Sequence, residues 1–110
     1  MAQFDVHQNI GRHHETIPFV VIVQSSQFDG YRRRVVVPLV RASSLGKIEL
    51  PTFNPTFTVS GVAVVLHPLE IVSVALDQLG PKVGSLSADS QQIVAAVDEL
   101  VSRAWDVTSR

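Results

Sequence analysis

The 110 residues contain no cysteine, which excludes a disulfide framework, a thiolate zinc site and a cysteine nucleophile together. That absence suits a reducing compartment, and a cytoplasmic location is expected. A dominant charge is also missing: nine Lys and Arg stand against ten Asp and Glu, a formal net charge of −1. No whole-chain field therefore draws the protein to nucleic acid or to a membrane surface. The longest apolar runs, residues 19–23 and 62–66, fall far short of the roughly 20 residues that a spanning helix needs, so no membrane partner is expected. The opening Met1-Ala2-Gln3-Phe4-Asp5-Val6-His7 lacks the basic start and apolar core of a signal peptide and reads as a mature cytoplasmic start.

Signatures of catalysis are equally scarce. Four histidines, His7, His13, His14 and His67, invite a metal site with Glu15 beside them. No spacing puts two of them on one helical face, so a solvated loop is expected and no metal. Ser26, Ser60, Ser85 and Ser87 lack a Gly-x-Ser-x-Gly elbow, and no phosphate-binding glycine loop occurs. Asp77, Asp98 and Glu99 read as solvated carboxylates. Neither an enzyme nor a cofactor is indicated.

What the chain does contain is strand sequence. Phe4 and Val6 with residues 7–9 form a short strand, and residues 11–16 a polar loop. Residues 19–24 are β-branched without interruption, as expected of a central strand covered on both faces or crossing a dimer contact. Phe28-Asp29-Gly30 turns the chain, and residues 32–40 return as the hairpin partner. Pro38 cannot donate to a ladder and is expected at an edge or a bulge. Residues 42–45 allow one helical turn, and Pro51 and Pro55 frame an extended loop. Residues 56–59 and 62–66 flank Ser60-Gly61, a two-residue hairpin turn, and residues 71–76 add another strand. Residues 79–84, with two glycines around Pro81, read as a connector. Five or six strands thus precede the last long element.

That element, residues 87–105, reads as one amphipathic helix. On a 3.6-residue period Ile93, Val94, Val97, Leu100, Val101 and Ala104 share a stripe, with Gln91, Asp98, Glu99, Ser102 and Arg103 turned away. Ser87 or Asp89 can cap it, and Asp89 with Gln92 has capping-box spacing. A helix so rich in valine is marginal alone and must lie on the strands. The expected fold class is α+β, in one domain over residues 1–110. At 45% hydrophobic residues, the composition points to an oligomer that buries further apolar surface.

Two features remain for function. Arg32-Arg33-Arg34 would send Arg33 to one face of a strand and its neighbours to the other. Such a pair suits a phosphate or a partner carboxylate, or forms an ordinary solvated rim. Trp105, the only tryptophan, is either a core plug or an interface anchor.

Several segments together resemble the CcdB toxins of bacterial type II toxin-antitoxin modules. They are Met1-Ala2-Gln3-Phe4-Asp5-Val6, Val23-Gln24-Ser25, then Arg33-Arg34-Val35-Val36-Val37-Pro38-Leu39, and residues 83–86 leading to Ile93-Val94-Ala95-Ala96-Val97-Asp98. The resemblance implies an SH3-like, partly open antiparallel barrel with a C-terminal helix, a homodimer, and runs 19–23 and 62–66 shared between core and dimer contact. It implies a DNA gyrase inhibitor that binds the A subunit on cleaved DNA, a topoisomerase poison rather than an enzyme. It also implies a cognate CcdA-like antitoxin that neutralises the toxin. Gyrase contact then falls to Val101, Ser102, Arg103, Ala104 and Trp105, and antitoxin contact to Gln8, Asn9, Arg12, His13 and His14. Family toxins end in Gly-Ile, with Ser102, Arg103 and Ala104 here in register with a Trp-Gly-Ile end; Trp105 comes three residues later, almost one helical turn. Alternatives are a non-poisoning module of the same fold that binds antitoxin and regulates transcription, and an mRNA-cleaving ribonuclease like the MazF toxins.

Overall fold

The computed structural model describes residues 1–102. Strand β1 (Asp5–Asn9) pairs with β2 (Phe19–Ile22) and β2 with β3 (Arg33–Arg41). β3 pairs in turn with β5 (Val62–Leu66), the hairpin partner of β4 (Thr56–Val59), and also with β6 (Val72–Ala75). β7 (Leu79–Ser85) lies along β1 at the far edge. All pairs are antiparallel, and the order is β4-β5-β3-β2-β1-β7 with β6 off the path on β3. The sheet curls into an SH3-like, partly open barrel that the helix α1 (Ser90–Ser102) closes. Among the described residues no helix is long and apolar enough to cross a membrane.

Alternation along the strands builds the core. Val6, Val21 and Val37 stand side by side across β1, β2 and β3 and are fully buried, and Leu39 pairs with Phe19 on one side and Leu66 on the other. Each such side chain contributes on the order of 1.5–3 kcal/mol by leaving water. Ile93 and Ala96 of α1 complete the same cluster with Phe4 and Leu86. The Ser60-Gly61 turn has positive φ at both residues, 50° and 77°, the mirror-image turn whose twist suits a two-residue hairpin.

The central place of β2 is confirmed, and it is covered on both faces: Val21 is buried on one and Ile22 on the other. Residues 64–66 of β5 are likewise buried within the chain, while Val20, Val23 and Val62 are half-buried and Ala63 is exposed. The large apolar side chains that do face solvent include Phe28, Tyr31, Val72, Val94 and Val101.

Three expectations need correction. Pro38 is buried in the middle of β3, not at an edge. β6 pairs with β3 up to Val36, β5 takes over at Leu39, and the Pro38 carbonyl between them accepts from His67 N at 3.1 Å. A residue without N–H fits where a strand changes partners, because no ladder bond is due there. Residues 79–84 are strand rather than connector, which makes seven strands among the described residues. β7 tolerates Pro81 as an edge strand with register shifts opposite Val6, His7 and Asn9. Gly80 is required there, since a Cβ would stand 2.6 Å from the Gln8 carbonyl oxygen.

The third correction concerns the helix. A 3-10 turn, Ser87–Asp89, precedes α1, which runs Ser90–Ser102; the remainder of the expected helix lies outside the described residues. Asp89 and Gln92 meet side chain to side chain at 3.5 Å rather than through the backbone bonds of a capping box. The buried stripe is turned from the expected one: Ala96, outside the expected stripe, is fully buried with Ile93, Val97 and Leu100 are half-buried, and Val94 and Val101 are 49% and 66% exposed. At 3.6 residues per turn those two valines are turned roughly 80–100° from Ile93, enough to leave the sheet.

Candidate functional site

Val35, Val37 and Leu39 point to one side of β3, and Val21 and Val23 to the same side of the chain paired with it. Helix α1 covers the inner members, and Val37, Leu39 and Val21 are fully buried. It leaves the outer ones uncovered. The result is an apolar groove of about 600 Å³ lined by Val23, Val35, Ile71 and Val97, with Phe28 and Tyr31 as one wall and Arg32 and Arg33 at the rim. Phe28 and Tyr31 are exposed, and their rings lie 6.3 Å apart at 49°. Val94, Val97 and Val101 follow one another on α1 at spacings of three and four, so the exposed valines flank the groove-lining Val97.

The arginine run does not form a uniform solvated rim. Arg34 is 4% exposed. Its Nη1 donates to the carbonyls of Tyr31 at 2.7 Å and Arg33 at 3.0 Å, and its Nη2 to that of Asp29 at 3.0 Å. Its Nε stands 3.6 Å from Asp29 Oδ1, an ion-pair distance too long for a hydrogen bond. Arg33 donates to Ser73 Oγ at 2.9 Å and to the Ser73 carbonyl at 2.7 Å, clipping β6 to β3. Its stem lines the groove, as a long cationic side chain can. With two guanidiniums engaged in this way, the cluster is not a ready phosphate site, which removes the residue argument for a ribonuclease.

Of the residues assigned to gyrase, Val101 and Ser102 are the last two of α1. Val101 and Ser102 are exposed, and Ser102 Oγ donates to the Asp98 carbonyl at 2.6 Å. Arg103, Ala104 and Trp105 lie outside the described residues. The residues assigned to antitoxin are Gln8 and Asn9 at the end of β1 and Arg12, His13 and His14 in the loop that follows. Gln8 and the three loop residues are exposed. Asn9 braces the loop instead, its Nδ2 donating to the carbonyls of Ile17 at 2.7 Å and Arg12 at 3.3 Å while Oδ1 accepts from Gly11 N at 3.0 Å. None of these five lines the groove. His13, His14 and Glu15 share a small depression with Thr16, and among the described residues no group of three His, Asp or Glu is placed to hold a metal.

Sequence reasoning missed the groove and its aromatic wall. The available signal was that Val23 and Val35 continue the core alternation past the point where any element remains to cover them. In comparisons with known proteins, the family model described as CcdB protein matches residues 3–102. The chain matches no curated protein sequence.

Proposed function

The chain belongs to the CcdB family of toxin-antitoxin toxins, and from that premise we propose that it poisons DNA gyrase by binding the A subunit and is neutralised by a cognate antitoxin. It acts in the cytoplasm as a homodimer of single-domain chains, and as a binder rather than a catalyst. The observation that carries this reading is the apolar groove beside the exposed valines of α1. Large aromatics and arginines around an apolar centre are the residue types that dominate binding energy at interfaces. A poison needs no chemistry of its own: a ligand that prefers the cleaved-DNA state of its target raises the population of that state.

In this reading Val101, Ser102, Arg103, Ala104 and Trp105, together with the groove, contact gyrase. Gln8, Arg12, His13 and His14 offer the antitoxin a polar surface, with Asn9 holding their loop in shape. The test is induction of the full chain in a gyrase-sensitive bacterial host. Growth arrest that is relieved by the co-expressed antitoxin is expected, and unimpaired growth with folded protein in the cell contradicts the proposal.

A further inference from the structure

The loop between β2 and β3 is held by side chains more than by its own backbone. Its turn bonds run from Phe28 N to Ser25 O, Asp29 N to Ser26 O and Tyr31 N to Phe28 O, between 3.0 and 3.1 Å. Two side chains at the loop's base complete it. Gln24 Oε1 accepts from Val35 N at 3.0 Å, and its Nε2 donates to the carbonyls of Phe28 at 3.2 Å and Arg33 at 3.3 Å. Arg34 reaches the carbonyls of Asp29, Tyr31 and Arg33 from the opposite strand. The Asp29 carboxylate stands beside that guanidinium and 4.0 Å from the N-terminal ammonium.

This arrangement inverts the usual distribution of residues. A guanidinium is 4% exposed while the two aromatics of the loop it holds are 45% and 68% exposed, beside an apolar groove with room for a ring. Burying a charge and exposing aromatics is poor use of the sequence for stability, because buried ion pairs seldom improve on apolar packing. It makes sense where one loop conformation has to be specified. We infer that Gln24 and Arg34 are positioning residues that hold Phe28 and Tyr31 outward as a preformed wall of the partner site. The inference rests on the reading of the groove as a gyrase-binding surface. A wall already in its bound shape leaves little ordering to be done on association, so loosening it weakens binding; Gln24 also lines the groove, whereas Arg34 does not, so a loss in Arg34→Lys reports the loosening without removal of a lining side chain.

The test uses the full chain and the gyrase A subunit. Gln24→Ala changes a half-buried residue at the loop's base, and Arg34→Lys keeps the buried charge while losing the fork. Both are expected to speed amide exchange at Phe28, Asp29 and Tyr31 by about tenfold or more, with the exchange of β1, β2 and the helix unchanged. Association with the gyrase subunit slows by about tenfold, the effect of an added ordering step, while the urea midpoint of Gln24→Ala stays near that of the parent. Gly30→Ala added to Gln24→Ala recovers part of the rate, since a Cβ there meets nothing within 4 Å and the backbone is not left-handed. Unchanged loop exchange, or unchanged association in both variants while the parent chain binds, overturns this inference alone. A parent chain that does not bind the subunit overturns the proposed function and this inference with it.

Discussion

Two neighbouring residues of α1 divide the molecule's tasks between them. Ile93 is fully buried in the cluster with side chains of β1 to β5, and Val94, one residue on, is 49% exposed, about a turn before the groove-lining Val97. Ala96 belongs with Ile93, whereas Val101 belongs with Val94. The sheet needs only the stripe formed by residues 93, 96, 97 and 100, so the two outer valines add nothing to closing the barrel. Apolar residues that the fold does not use, standing one turn either side of the groove-lining Val97, indicate a surface kept for another molecule.

The difference can be broken from either side. Ile93→Ala removes a fully buried side chain next to Leu86 and the strands and is expected to cost about 2–5 kcal/mol, read as a lower urea midpoint. Ala96→Leu forces three carbons into the fully buried position one turn later and is expected to cost about 1–3 kcal/mol in the same experiment. The double change Val94→Ser, Val101→Ser is expected to stay within about 0.5–1 kcal/mol of the parent, because both sites are exposed. It should nevertheless weaken binding to the gyrase A subunit by at least about tenfold, the scale on which interface anchors act. An equal loss of stability from Ile93→Ala and from the double serine variant would erase the distinction between the two faces.

Much of this was legible in the sequence where local chemistry decides. Ser60-Gly61 names its own turn, and the β2–β3 pairing follows from two valine-rich runs about a turn. The misses share a cause. β7 hid behind glycine and proline, which signal a connector unless an irregular edge strand has a partner with room for them. Arg34 lies on the face that strand alternation assigns, but alternation does not say what covers that face. The helical period gave a stripe that took in Val94 and Val101 and left out Ala96, since the face that is buried depends on how the helix meets the sheet. The groove depends on that same docking, so it could not be read from any one segment.

The central claim is that this exposed face and groove, not a reactive centre, carry the toxicity. The most direct measurement is gyrase-mediated cleavage of closed circular DNA in the presence of the purified full chain, with the Val94→Ser, Val101→Ser variant beside it. Cleaved DNA should accumulate with the parent chain and fall to near background with the equally folded variant. Cleavage that stays at background with the parent, or that rises equally with both proteins, would contradict it.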